Sequence, residues 1–168
     1  MSIKIKNKHI LKRKEIKKIL TEVKKKFSID FFDNNLKVES GFIDDINIIF
    51  VDNEPCFMMI DDMFCFTLQG IMKFKPKDKF VIVDMGAVQF ITSGADLMAP
   101  GIVNADYNIQ KGDHVWICDE LHQKPLATGI AIMNGEQMIN EKKGKSVKII
   151  HYVGDKYWNL NKKSMDVN

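Results

Sequence analysis

The residues that most often carry catalysis or bind metals are few and widely separated in this sequence. Its three cysteines, Cys56, Cys65 and Cys118, include no CxxC pair, and the four histidines complete no ligand pattern with them. A structural zinc site takes four such ligands, commonly in closely spaced pairs. The adjacent carboxylates Asp61 and Asp62 lie in a stretch of turn composition, where neighbouring side chains point apart. We therefore predict reduced, mostly buried thiols, no metal and no cofactor.

Enzyme motifs and membrane signals are missing as well. The sequence has no GxGxxG loop for a methyl donor, no phosphate-binding P-loop and no nucleophile beside a recognisable base. No apolar run approaches the roughly eighteen residues of a membrane span, and the basic N-terminus lacks the apolar core of a signal peptide. We predict a cytoplasmic protein that is not an enzyme and does not contact a membrane.

Positive charge is concentrated near the N-terminus. Between Lys4 and Lys26 there are eleven Lys or Arg residues and two acids, so this segment carries a net +9, whereas the whole chain carries +3. The remaining residues are therefore mildly acidic. Such a polarised charge distribution indicates a polyanionic partner.

The basic segment also has helical periodicity. Residues 10–27 read "ILKRKEIKKILTEVKKKF", with apolar residues at helical spacing and lysines mostly off that stripe. This pattern predicts an amphipathic helix with a basic outer face. Lys14, Lys17 and Lys18 are its candidate phosphate contacts, although a lysine face that is merely solvated fits the same pattern.

The next region changes to a β pattern. From Ile46 onward, "INIIFV", "CFMMI" and "FCFTL" are short apolar runs between turn-like interruptions, which predict a β-meander or two successive hairpins. "TLQGIMKF" then predicts a short helix capped by Thr67 and weakened by Gly70. Its end is set by Pro76, within "KPKDK", a charged stretch that has the composition of a domain junction.

Beyond that junction the chain is again mostly β. "FVIV", "HVWI", "LATGIAIM" and "VKII" predict strands divided by turns, with a short helix over 87–92 and another helical turn over 135–140. Several short strands that close on themselves indicate a small barrel. The predicted fold class is thus α+β, an α/β N-terminal domain followed by a mostly-β pseudo-barrel.

One quoted segment carries a family resemblance. "VDMGAVQFITSGADLMAPGI", residues 83–102, resembles the first strand, first helix and second strand of a PUA domain, an RNA-binding module, and "KGDHVWI", "ATGIAIM" and "HYVGDKYW" continue the match. The preceding "VDNEPCFMMIDDMFCFTLQGIMKF" resembles the pre-PUA domain of the malignant-T-cell-amplified-sequence family and its archaeal relatives. The resemblance implies a pre-PUA domain at 1–78, a PUA domain at 79–158 and a frayed tail at 159–168.

The same resemblance implies a function and partners. That family acts in translation initiation and recycling on the small ribosomal subunit, together with an initiation-factor-like protein partner. We therefore expect a non-catalytic RNA-binding protein whose RNA is rRNA or tRNA. Two alternatives stay open, an accessory RNA-binding adaptor in RNA modification and a protein-interaction adaptor. The adaptor surface would include Phe57, Met58, Met59, Met63 and Phe64 if these side chains are exposed.

The resemblance also suggests where RNA would lie. Gly86 and Gly94 are expected to turn the chain into and out of the short helix, with Val88, Phe90 and Ile91 packed on the barrel. The nearly bare backbone of residues 93–95 and the Ser93 hydroxyl could donate hydrogen bonds to RNA. The candidate contacts in this half are Lys79, Ser93, Gly94, Ala95, Met98, Pro100, Gly101, Lys143, Lys145 and Tyr152.

Core roles compete with some of these contacts. We expect Met98 to favour the core, Asp96 to fix a turn, and Tyr152 either to stack on a base or to pack inside. Residues 79–158 contain eight lysines and nine acids. Because a self-sufficient RNA binder is usually basic, we expect the N-terminal lysines to supply most of the affinity and the groove to supply orientation.

Overall fold

The chain forms two compact units. A computed structural model describes residues 3–29 and 35–161. The first unit contains the chain up to Pro76 together with the segment that begins at Lys156, and the second spans Lys77–Asp155. The predicted α+β fold class is confirmed.

The first unit is built on a five-stranded antiparallel sheet whose strands follow chain order. They are β1 (Lys6–Ile10), β2 (Val38–Ile43), β3 (Ile46–Val51), β4 (Glu54–Ile60) and β5 (Met63–Phe66). Two of the hairpin turns place consecutive non-glycine residues at positive φ, Asp52-Asn53 and Asp61-Asp62. This backbone matches the twist of the flanking strands and sets their register, as predicted for a meander.

Helix α1 (Arg13–Phe27) covers this sheet with its apolar stripe. Its buried residues Ile19, Val23 and Phe27 are spaced by four, and the Phe27 and Phe66 rings meet edge to face with centroids 4.7 Å apart. The helix begins three residues later than predicted, where the Lys12 amide donates to Glu15 Oε2 at 2.8 Å.

Helix α2 (Leu68–Phe74) has the predicted cap and an unexpected reason for its glycine. Thr67 Oγ1 accepts from the Gly70 amide at 3.0 Å. A Cβ on Gly70 would lie 2.0 Å from the Cys56 carbonyl oxygen, so only glycine lets α2 approach β4 this closely. The residue that weakens the isolated helix is the one that permits its packing.

The middle strands do not expose the surface expected of an adaptor. Phe57 and Met58 are fully buried, while Met59, Met63 and Phe64 are half-buried. The Phe57 ring lies 4.9 Å from the Phe66 ring and 5.7 Å from the Phe74 ring, centroid to centroid. The expectation was wrong for Phe57 and Met58, because β4 is an inner strand packed by helices rather than a half-exposed one.

The predicted end of the second domain and the predicted tail also differ from the structure. Trp158–Asn161 form a 3-10 turn that packs against β4, with Leu160 buried. Gln69 Nε2 donates to the Trp158 carbonyl at 3.2 Å, and Lys156 Nζ donates to Asp44 Oδ2 at 2.6 Å. The chain from Lys156 to Asn161 therefore belongs to the first unit. The rest of the predicted tail, 162–168, lies outside the described residues.

The second unit is a six-stranded curled half-barrel in the order β7-β11-β10-β9-β6-β8. Its strands are β6 (Phe80–Val83), β7 (Leu97–Met98), β8 (Ile102–Ala105), β9 (His114–Asp119), β10 (Pro125–Ala131) and β11 (Lys145–Tyr152). The β6–β9 pair is parallel and the others are antiparallel.

Two short helices complete this unit near their predicted places, α3 (Met85–Ile91) and α4 (Gly135–Asn140). Apolar side chains from both the strands and the helices fill the barrel interior, including Val81, Ile117 and Met138. The segment from α3 to β8 lies on the outside of this barrel and forms the site described next.

Candidate nucleic-acid interface

A groove of about 530 Å³ lies between α3 and the segment that leads into β8. Of the candidate RNA contacts, it brings together Ala95, Met98, Pro100 and Gly101. The other lining residues are Asp84, Gly86, Ala87, Phe90, Ile91, Asp96 and Leu97. Part of the predicted site is thus one continuous surface, although Ser93 and Gly94 are not among its lining residues.

The groove is shaped by a close approach of α3 to a 3-10 turn, Ala99–Gly101. The Asp84 amide donates to the Gly101 carbonyl at 2.9 Å, and Asp84 Oδ1 caps α3 by accepting from the Ala87 amide at 2.9 Å. A Cβ on Gly101 would lie 3.0 Å from the Ala87 Cβ. Gly86 sits inside α3 without a positive φ, so the expectation that it makes the tight turn was wrong.

The segment 93–95 has a different role from the one expected. Gly94 has φ +89°, its amide donates to the Ile91 carbonyl at 3.0 Å, and the Ala95 amide donates to the Phe90 carbonyl at 3.0 Å. These two bonds form a Schellman motif, with Gly94 as the left-handed residue that ends α3. The Ser93 amide and hydroxyl both donate to the Phe90 carbonyl, at 3.2 and 2.8 Å. The donors expected to meet RNA therefore satisfy the end of the helix.

Tyr152 lies beside the same turn at the end of α3. Its half-buried ring packs against the apolar core, and a Cβ on Gly94 would lie 3.0 Å from the ring carbons. The Tyr152 amide donates to Asp155 Oδ2 at 3.0 Å. These contacts favour the packing role over base stacking.

Three large apolar side chains stand out at or beside the groove. Phe90 is 59% exposed, Met98 is 48% exposed and Met85 is 42% exposed. Phe90 was expected on the barrel and Met98 in the core, and both expectations were wrong. In α3 the inward face holds Val88 and the buried Ile91, which leaves Phe90 outside, and in β7 the buried Leu97 leaves Met98 outside.

The charged groups of the groove are carboxylates. None of the eleven described residues that line it is Lys or Arg. Asp96 Oδ1 accepts from the Ile149 amide at 2.9 Å and Oδ2 pairs with Lys145 Nζ at 3.0 Å. Partial burial works to raise the pKa of the Asp96 carboxyl, but the Ile149 and Lys145 interactions outweigh it and the pKa is lowered. Asp96 thus ties the turn to β11, in line with its expected role.

The remaining predicted lysines of this unit are not assembled at the groove. Lys79 Nζ binds Asp113 Oδ2 and the Asn108 carbonyl, both at 2.8 Å, so it fixes a loop rather than pointing to a ligand. Lys145 is held by Asp96, as above. Lys143 is exposed on the turn before β11.

The outer face of α1 is a separate candidate surface in the first unit. Lys14, Lys17 and Lys18 are all exposed, and none forms an ion pair with a described residue. The structure therefore leaves these three predicted contacts available to an anionic ligand.

The thiols have the properties of core residues. Cys56, Cys65 and Cys118 are free and buried, and burial raises the pKa of the first two to about 12 and of Cys118 to about 11. No group of three His, Cys, Asp or Glu residues within 3–29 and 35–161 is arranged to hold a metal ion. Over the same residues, no helix is long and apolar enough to cross a membrane.

Family models match both units. Residues 79–153 match the PUA domain, and residues 7–74 match a domain of unknown function, DUF1947. The second unit, with its curled barrel and the groove beside α3, is therefore a PUA domain.

Individual relatives extend this match over the whole chain. An uncharacterized protein of Methanocaldococcus jannaschii is 44% identical over 160 residues, 94% of this chain and 99% of that protein. Translation machinery-associated protein 20 of Saccharomyces cerevisiae is 34% identical over 123 residues, 70% of this chain and 68% of that protein. A crystal structure of a hypothetical protein from Pyrococcus horikoshii has a TM-score of 0.81 at 34% identity and covers 91% of this chain and 98% of its own.

The chain combines a DUF1947 domain with a PUA domain and belongs to the family of translation machinery-associated protein 20, and its homologues include the malignant T-cell-amplified sequence proteins. The resemblance drawn from the quoted motifs is thereby confirmed.

Proposed function

We propose that this protein is a non-catalytic, cytoplasmic RNA-binding protein that acts in translation initiation or recycling, on the small ribosomal subunit or on tRNA, with an initiation-factor-like protein partner. Its PUA domain and its relationship to a translation machinery-associated protein support this proposal. The observation that carries it is the dense positive charge on the outer face of α1.

Part of that charge opposes the stability of the helix itself. Arg13 and Lys14 lie in the first turn, where a cation opposes the helix dipole at a cost of about 0.3–1 kcal/mol. Lys14 is followed by Lys17 and Lys18 at the i+3 and i+4 positions, and each like-charge pair costs about 0.2–0.5 kcal/mol more. Cations that destabilise the start of their own helix are explained by a ligand that neutralises them, and phosphate groups of RNA do so while releasing counterions.

The PUA groove would contribute orientation through a different chemistry. Because its ionisable side chains are carboxylates, it would repel a phosphate and accept an unpaired base instead. The exposed Phe90 ring offers a stacking surface. Asp84 caps α3 with Oδ1 only, and Oδ2 has no hydrogen-bond partner among the described residues. That oxygen is an acceptor for the exocyclic amino group of adenine, cytosine or guanine.

The proposal is tested by recovering RNA crosslinked to the protein in a cell extract. We expect small-subunit rRNA or tRNA with the native chain, and much less RNA with Lys14, Lys17 and Lys18 all changed to Gln. A matched variant with Lys111, Lys124 and Lys142 changed to Gln removes the same charge from the PUA domain and should recover RNA normally. Equal amounts of crosslinked RNA from both variants, or no RNA from the native chain, would contradict the proposal.

An adaptor role is the second candidate, and the groove is the observation that favours it. An apolar cleft with carboxylates also suits a protein segment that carries apolar and basic side chains. In an accessory role in RNA modification, the same cleft would contact the modifying enzyme. Phe90→Ala separates the readings, because loss of a protein partner with unchanged affinity for RNA would favour the adaptor.

A further inference from the structure

The outer face of α1 has a regular arrangement of charge. At about 100° per residue, the cations of this face fall within an arc of about 140° whose centre lies about 150° around the helix from the buried Val23; they are Arg13, Lys14, Lys17, Lys18, Lys24 and Lys25. The one neutral residue inside this arc is Thr21, close to its middle. All seven side chains are exposed.

These cations form two rows. Arg13, Lys17 and Lys24 lie on one side of Thr21 and form the first row. The second row is Lys14, Lys18 and Lys25. Each row extends about 16 Å along the axis, and the rows are about 10 Å apart on a helix about 10–12 Å wide with its side chains.

The two acids of the helix lie outside the arc, where each has a local partner. Glu15 Oε2 accepts from the Lys12 amide at 2.8 Å, and Glu22 pairs with Lys26 at 3.9 Å. The Thr21 hydroxyl is likewise used locally, donating to the Lys17 carbonyl at 2.8 Å. Neither acid of α1 therefore lies between the two rows.

We propose that the two rows of α1 bind the two phosphate backbones of a double-helical RNA across a groove. This inference rests on the proposed function, since it specifies the RNA structure that this face recognises. The narrow major groove of A-form RNA brings the two backbones close together and keeps side chains from reading its bases. A face of six cations without an exposed aromatic side chain suits that target, because it can contact phosphates but cannot stack on bases.

Other anionic partners fit the face less well. A single strand presents one line of phosphates and would occupy one row at a time. Insertion into a lipid surface needs an exposed apolar side of the helix, whereas the apolar side of α1 is packed on the sheet. An acidic protein would find no aromatic or aliphatic anchor within the arc.

The gap at Thr21 permits a gain-of-function test. Thr21→Lys adds a seventh cation between the rows, and Thr21→Gln is the matched neutral control. On a short RNA duplex without overhangs, we expect Thr21→Lys to steepen the slope of log K against log salt by about 0.9 and to tighten binding about five- to tenfold at 0.1 M salt. The control should bind like the native chain, and equal affinities of the two variants would overturn the proposal.

Removing one row at a time tests the two-backbone geometry. Arg13→Gln with Lys17→Gln weakens the first row, and Lys14→Gln with Lys18→Gln weakens the second. On the duplex, each double variant should lower the slope by about 1.8, and the losses should add in the quadruple variant. On a single-stranded RNA of the same length, either double variant should bind nearly as well as the native chain, because the strand can use the other row.

The other outcomes separate failure of the two-row geometry from failure of RNA binding itself and from membrane binding. Equal losses on the duplex and on the single strand would overturn the two-row geometry and leave RNA binding intact. If the native chain binds neither RNA with any salt dependence, the proposed function itself fails. If Thr21→Lys tightens binding to vesicles with anionic headgroups but not to the duplex, the face recognises a membrane and the proposal is wrong.

Discussion

Gly94→Ala separates a structural role of the α3–β7 turn from a direct role in RNA binding. The left-handed backbone at φ +89° costs an ordinary residue about 1–2 kcal/mol. The new Cβ would also lie 3.0 Å from the Tyr152 ring, which must move by a few tenths of an ångström. We therefore expect the free energy of unfolding to fall by about 1–3 kcal/mol, in the range of other strained residues.

Urea unfolding followed by tryptophan fluorescence measures this loss. Trp116 lies in β9 of the PUA domain and Trp158 lies in the first unit, so a Trp158→Phe background leaves Trp116 to report on the PUA domain. With an m-value of about 1–3 kcal/mol/M, the unfolding midpoint should fall by roughly 1 M. Repeating the substitution in a Tyr152→Leu background should remove the steric part of the loss and leave the backbone part.

The RNA affinity of the Gly94→Ala variant is the second measurement, and it distinguishes a direct role in RNA binding from a structural one. Because the amides of residues 93–95 are used within the turn, affinity at low temperature should stay close to native in the folded fraction. Unchanged stability combined with a tenfold or larger loss of affinity would refute this reasoning and restore the bare backbone as an RNA contact.

Four further changes test other parts of the account. Phe90→Ala should lower RNA affinity by about 1–3 kcal/mol, the usual value of a base–aromatic stack, without moving the unfolding midpoint. Titration with fluorescent RNA measures the affinity, urea unfolding measures the midpoint, and native affinity in the variant would contradict the stacking role. Asp84→Asn keeps an oxygen for the α3 cap but turns Oδ2 into a donor, so the preference of the groove should shift from amino-bearing bases toward uracil in a comparison of single-base variants. Asn53→Gly removes the strain of φ +68° in the β3–β4 turn and should raise stability by about 1 kcal/mol; an unfolding midpoint at or below the native value would argue against the strained turn. The lowered pKa of Asp96 contributes stability that is present above the unfolded-state pKa near 4 and is lost as the pH falls through the folded-state value, so Asp96→Asn should flatten the acid limb of unfolding below about pH 4.

The elements with strong periodicity could be predicted from sequence. The apolar spacing in residues 10–27 predicted α1 and its basic face, since one buried side and one solvated side leave a clear 3.6-residue pattern. Turn-forming residues between short apolar runs likewise predicted the meander. The quoted 83–102 segment located the PUA domain and contains all eleven residues that line its groove, of which four were predicted as contacts.

Exposure within uniformly apolar segments could not be predicted. Phe57 and Met58 belong to an inner strand that is apolar throughout after Glu54, so no alternation shows which faces are covered. Phe90 and Ile91 are similar neighbours, yet one is exposed and the other is buried. The spacing of Val88 and Ile91 by three was the available signal, because it places both on the inner side of α3 and Phe90 on the outer side.

The role of Gly94 was misjudged for a different reason. A glycine just past a helix predicts a left-handed C-terminal cap, and its capping bonds use the neighbouring amides. Because residues 93–95 have small side chains, their sequence also fits a backbone that is open to a ligand, unless the hydrogen bonds of its amides are taken into account. The distinction depends on where each donor points, which composition alone does not fix.

The salt dependence of RNA affinity shows directly whether the basic face of α1 binds RNA phosphates. The measurement compares the native chain with the variant in which Lys14, Lys17 and Lys18 are all Gln, over a range of salt concentrations. If α1 neutralises RNA phosphates, the triple variant should flatten the slope of log K against log salt by about 2–3, at roughly 0.7–0.9 per lost contact. A slope equal to that of the native chain would show that the basic face is only solvated and that RNA is bound elsewhere.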